Sequence, residues 1–194
     1  MTTRREYRSL DVQADGEDMH VTGYAAVFNE RALLWESQYS GYRYYEMIMP
    51  GAFASADMSD VVMRYNHGDS AMVLARTKNN TLQLVEDSRG LRISATLADT
   101  TAGRDLYALI KRGDISKMSF AFTVAKETAE DDREAKTYVR KIEAFGTIVD
   151  VAPVDFPAYD GTSLEARGAD YFRDLEQTMQ EAELRKRLRL RTYF

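Results

Sequence analysis

A chain of 194 residues, 44% hydrophobic and 29% charged, has the length and apolar content for one domain with a substantial core. Its net charge of −5, with no basic face ahead of the C-terminus, argues against nucleic acid as a partner. The absence of Cys rules out disulfides and a thiol nucleophile, and two His are too few for a His-rich metal site. Neither a metal nor a cofactor is expected. No apolar run approaches the roughly 20 residues of a membrane span, and the N-terminal MTTRREYRSL lacks a signal-peptide core. These features predict a soluble, intracellular protein.

In chain order, Arg4 to Val12 and Val21 to Phe28 read as strands joined by a turn at Asp15-Gly16-Glu17-Asp18. Asn29 to Tyr42, polar apart from Trp35 and several Tyr, reads as a covering loop. Tyr44 to Met49 is a short strand closed by Pro50-Gly51, and Ala52 to Met58 a short helix. Val61 to His67 reads as a compact strand ending in Asn-His-Gly. Met72 to Arg76 and Thr81 to Val85 are strands about the turn cluster Lys78-Asn79-Asn80. Leu91, Ile93, Ala95 and Leu97 alternate with Arg92, Ser94 and Thr96, the cleanest two-residue period in the chain.

Asp105 to Arg112 carries the apolar face Leu106, Tyr107, Leu109 and Ile110, with Lys111 and Arg112 at the end where cations suit the dipole. Thr100 or Thr101 would cap this helix and Gly113 would stop it. Phe120, Phe122 and Val124 then alternate with Ser119, Ala121 and Thr123, placing Ser119 at the start of a strand and at a sheet rim. Ala125 to Thr137 is almost wholly charged and reads as an exposed, mobile hairpin loop. Tyr138 to Phe145 and Thr147 to Val151 are strands either side of a bulge at Gly146, with Pro153 and Pro157 ending the sheet. Many short strands with few helices predict a mainly β fold with peripheral helices (α+β), built on a closed or nearly closed antiparallel barrel. The barrel domain would span residues 1–160. Residues 161–194 would form a basic helical tail, with Leu164, Tyr171, Phe172, Leu175, Met179, Leu184 and Leu188 at helical spacing. That tail is either a helix packed on the barrel or a partner-binding segment.

Chemistry centres on few groups. His20 lies beside a turn, whereas His67 ends an apolar strand next to a loop. Taken alone, His67 is more simply structural, and Ser119 more simply a small residue on a half-buried strand. Together they matter more, because a serine needs a neighbouring base to lose its proton and that base needs an orienting partner. Asp150, an acid between Val149 and Val151, is the first candidate for that partner, with Glu86 and Asp87 of a turn as alternatives. Backbone N–H groups near Ser119 would hold the oxyanion. No GxSxG elbow is present.

The series GYAAVFN (23–29), PGAF (50–53), YNH (65–67), GRDLYALIKRGDISKMSFAF (103–122) and DVAPVDFPAY (150–159) resembles the prohead maturation serine proteases of tailed bacteriophages. That family is similar in turn to assemblin, the herpesvirus capsid protease, a Ser–His enzyme on a β-barrel. The resemblance implies Ser119 in KMSFAF as nucleophile, His67 in YNH as base and Asp150 in DVA as third member. It implies a protease inside the immature prohead, in the host bacterial cytoplasm. There it would cleave scaffolding segments of the major capsid protein and finally itself, with dimerisation plausible by analogy. The assemblin arginine pair that helps hold the oxyanion has no counterpart after Asp150. The competing expectation is a catalytically silent assembly or scaffolding protein acting through its C-terminal helix.

Overall fold

A computed structural model describes residues 10–15, 18–37, 39–68 and 72–155, with residues 177, 178 and 181. In chain order the strands are β1 (Leu10–Asp15), β2 (His20–Val27), β3 (Ala32–Glu36), β4 (Arg43–Ile48), β5 (Val62–Met63), β6 (Ala75–Arg76), β7 (Leu82–Glu86), β8 (Gly90–Thr96), β9 (Lys117–Asp132) and β10 (Thr137–Val154). The helix α1 (Thr101–Arg112) separates β8 from β9. The expected C-terminal helix falls almost wholly outside the described residues.

Strands pair in the order β3-β4-β10-β9-β1-β2-β8-β7, with β5 joined to β10 and β6 joined to β5. The mainly β class holds, but no closed barrel is found: among the described residues no ladder joins β3 to β7. Nor is the sheet wholly antiparallel, because β4 and β5 both run parallel to β10. Alternation reports which residues share a face and is blind to strand direction, so sequence pattern could not have revealed this.

The framework is the β9–β10 hairpin, whose ladder runs from Thr137↔Asp132 to Val154↔Lys117. Ala125 to Asp132, expected as a loop, continue β9 as an exposed half-strand, and the turn itself is only residues 133–136. Ladder hydrogen bonds do not need apolar side chains, so a charged segment paired with β10 remains a strand. The bulge expected at Gly146 is present as register shifts between Ile142 and Ile148. Asn29 to Tyr42 contains β3 rather than a continuous loop. Residues 51–55 form turns instead of a helix, held by bonds such as Ala54 N–H to Gly51 O at 3.1 Å.

The core lies on one face of that hairpin. Met118, Phe120, Phe122, Phe145 and Val151 pack with Phe53 and with β2, β8 and α1 residues. Phe53 stacks on Phe145 at 4.5 Å and Phe120 on Phe122 at 4.7 Å, between ring centroids. Phe122 meets Phe145 edge-on at 4.7 Å, the offset geometries that aromatic quadrupoles favour. α1 closes the core through Leu106 and Ile110. It begins at Thr100, whose side chain accepts from Gly103 N–H, and ends at Gly113, which is left-handed at φ 87°.

Candidate active site

Directly opposed residues on neighbouring strands point to the same side, as do positions two apart on one strand. The pairs Ala121↔Asp150 and Ser119↔Ala152 therefore put all four side chains on one face of the β9–β10 ladder. Phe120 and Val151 occupy the opposite face, in the core. Core packing thus fixes the rotation of both strands and turns Ser119 and Asp150 away from the aromatic cluster, one ladder step apart on the diagonal. Ser119 is not at the sheet margin: β10 flanks it on one side, and β1 reaches its neighbour Met118 on the other.

His67 arrives from another element. β5 pairs parallel to β10 at Val62↔Asp150 and Met63↔Val151, and Arg64 N–H extends that pairing to Val151 O at 3.1 Å. The strand expected over residues 61–67 stops there, and Tyr65–His67 form a short 3-10 turn. Within it Asn66 and His67 are both left-handed, at φ 52° and 53°. That conformation costs on the order of 1–2 kcal/mol for each non-glycine residue, so the surroundings must impose it. Tyr65 O–H donates to Asp155 Oδ2 and Asp155 N–H donates to Asn66 Oδ1, both at 3.3 Å, tying the turn to the end of β10. The outcome is an imidazole folded back on the sheet.

There His67 Nδ1 meets Asp150 Oδ1 at 2.5 Å. A carboxylate only accepts, so Nδ1 donates, and in the neutral ring Nε2 is the basic nitrogen. His67 is 8% exposed, Asp150 3% and Ser119 2%, so the three groups sit where water screens little. Among the described residues, His67 Nε2 is buried and makes no hydrogen bond, to Ser119 Oγ included. What the ladder register supplies is a serine on the face that carries the Asp–His pair, and an oriented base brought to such a hydroxyl is what makes an alcohol nucleophilic.

The two alternative acids are occupied elsewhere. Glu86 accepts from the N–H groups of Gly51, at 2.8 Å, and Phe53, at 3.2 Å, clamping the PGAF turn. Asp87 accepts from Tyr24 O–H and Arg89 N–H, each at 2.8 Å. Neither is bonded to His67 among the described residues. A His–Ser hydrogen bond that the sequence alone did not signal lies elsewhere: His20 Nε2 is 3.1 Å from Ser94 Oγ and Nδ1 is 3.4 Å from Thr96 Oγ1. The cross-strand pair His20↔Thr96 could have signalled it. No carboxylate is bonded to His20 among the described residues, so that ring lacks the group that orients a base.

A family model for caudovirus prohead serine proteases matches residues 6–179. No curated protein and no solved structure matches the chain. The match takes in Ser119, His67 and Asp150 together with all ten strands and α1. The chain belongs to the caudovirus prohead serine protease family.

Proposed function

We propose that this chain is a serine endopeptidase of capsid maturation in which Ser119 is the nucleophile, His67 the general base and Asp150 the residue that orients the base. The observation that carries the reading is the His67–Asp150 hydrogen bond on the sheet face that Ser119 shares. His67 Nε2 takes the Ser119 proton as Oγ adds to the scissile carbonyl carbon, and the carbonyl π electrons move to oxygen. Collapse of that intermediate breaks the C–N bond, and the imidazolium returns the proton to the leaving amine. Water then repeats the sequence on the acyl-enzyme. Asp150 holds the tautomer and stabilises the imidazolium throughout.

Within that reading the substrates are the scaffolding segment of the major capsid protein and the enzyme itself, inside the prohead in the host cytoplasm. Residues 1–160 carry the chemistry, residues 161–194 are a steering tail, and self-association is a means of activation. Ser119→Ala tests the core of it. Co-expressed with the capsid precursor, the variant should leave the precursor and itself intact on a gel while its thermal melt matches wild type. A loss of cleavage on the order of 10⁵-fold or more is expected for removal of a nucleophile. Processing at the wild-type rate would reject the assignment in favour of a silent assembly protein.

A further inference from the structure

We propose that Arg64 supplies the side-chain charge that stabilises the oxyanion, an inference that rests on the reading of Ser119 as nucleophile. The register places it. Arg64 is extended, at φ −138° and ψ 157°, and its N–H bond to Val151 O puts it opposite Ala152 in the parallel β5–β10 pairing. Ala152 is in turn opposite Ser119. Arg64, Ala152 and Ser119 thus form one row across three strands, all on the face that carries Asp150. Two strand spacings separate the Cα ends of the row by roughly 10 Å, and an arginine side chain laid over Ala152 would cover most of that span, with the Ser119 hydroxyl extending toward it. The residue between them is alanine, the side chain that adds least bulk to the row, and it is fully buried, so other groups lie over it. A larger residue at 152 would wall the guanidinium off from the hydroxyl.

The second observation is independent of the register. Nε of Arg64 is buried and has no hydrogen-bond partner, and no ion pair engages its guanidinium among the described residues. Buried polar groups are almost always satisfied, so an unpaired Nε on a half-buried arginine marks a donor awaiting an acceptor. The negative charge that would satisfy it appears only during turnover, when Oγ adds to the carbonyl and the electron pair settles on oxygen. Donors fixed in advance at that position, in a site that screens little, lower the barrier without reorganising. His67 is three residues further along the same segment, so the backbone that aims the base also sets where the Arg64 side chain begins.

Two variants test this, Arg64→Met, which keeps most of the apolar stem, and Arg64→Lys, which keeps the charge without the fork. The readouts are kcat and KM on a fluorogenic peptide spanning a cleavage site mapped with wild-type enzyme. The rate at which a fluorophosphonate labels Ser119 is a third, since its phosphoryl oxygen occupies the oxyanion's place. Arg64→Met should lower kcat on the order of 10²-fold or more with KM within about threefold. Labelling should slow in parallel, Arg64→Lys should fall between, and added guanidinium ion should restore part of the Arg64→Met rate. Should Arg64→Met not fold, Arg64→Lys decides by the same split. A change confined to KM, or lost preference for an acidic substrate residue with kcat intact, would mean that Arg64 binds a substrate carboxylate and would overturn the proposal. Rates within about threefold of wild type would overturn it too. If wild-type Ser119 is neither labelled nor needed for cleavage, the protease reading itself fails and Arg64 falls with it.

Discussion

Asp150 is the residue on which the candidate site turns, because its carboxylate decides which His67 nitrogen carries the proton. Asp150→Asn keeps the shape and removes that control: the new amide can donate to Nδ1, which then accepts and leaves the proton on Nε2. A base already protonated on Nε2 cannot receive another proton there. The expected outcome is a fall in kcat on the order of 10⁴-fold with the melting temperature nearly unchanged. Stopped peptide turnover with intact folding supports the orienting role, whereas a loss under tenfold removes it. The sequence singled out Ser119, His67 and Asp150 as candidates because each departs from its background: a hydroxyl and an acid amid β-branched and aromatic neighbours, and a histidine closing an apolar run. Of these the structure joins His67 to Asp150 and sets Ser119 on the same sheet face. The place of Arg64, in register with Ala152 and Ser119 across two ladders, could not be read the same way, because no spacing along one chain encodes it.

Elements whose signals are local were read well. α1 has its cap at Thr100, its stop at Gly113 and basic residues in its last turn, as the sequence indicated. Segments whose state depends on partners were misread: β3 and the outer half of β9 are strands because β4 and β10 lie beside them. Two glycines separate the reasons an element can require one. At Gly113, with φ 87° and no atom within 4 Å of a built Cβ, alanine meets only backbone strain of about 1 kcal/mol. At Gly90 a Cβ would stand 1.9 Å from the Ala26 carbonyl oxygen, beside the β2–β8 irregularity, so the strands must part. Gly90→Ala should cost about 3 kcal/mol in urea denaturation, well above Gly113→Ala, and the reverse order would refute the packing account.

The joint between β5 and β6 adds a pH test at the same scale. Arg76 grips Asp60 with Nε at 2.6 Å and Nη2 at 2.8 Å, and Lys78 Nζ adds a contact at 2.7 Å. These cations, Arg76 first, hold the Asp60 carboxyl well below the usual carboxylate range. A carboxyl depressed in the folded state adds stability above its unfolded pKa of about 3.9, and loses it as pH falls toward the folded value. Asp60→Asn should therefore lower the melting temperature at pH 7, and the gap to wild type should narrow steadily below about pH 4. A gap independent of pH would show that the charge contributes nothing.

Across the whole molecule, the long hairpin divides labour: its inner half carries the core and the candidate site, while its outer half pairs with β4 to extend the sheet. The parallel β4–β10 ladder must hold register, and Arg140 stands opposite Glu46 in it. Glu46 is 1% exposed and Arg140 7%, with Nη1 to Oε2 at 2.9 Å, while Glu127 on β9 takes Nη2 at 2.5 Å. One cation thus bridges three strands. Taking two charges out of water offsets most of their attraction, so the pair adds little net stability over apolar residues of like size. Removing one partner is different, because it strands a charge away from water. Glu46→Ala should destabilise by about 3–5 kcal/mol, and Glu46→Leu with Arg140→Met should recover most of that loss. Urea denaturation of the two variants gives the comparison. If the double variant is as unstable as the single one, the ion pair is a true source of stability. If it is stable but its β4–β10 amide exchange protection is lost, the pair sets register, which aliphatic side chains cannot do because they fit a slipped ladder equally well.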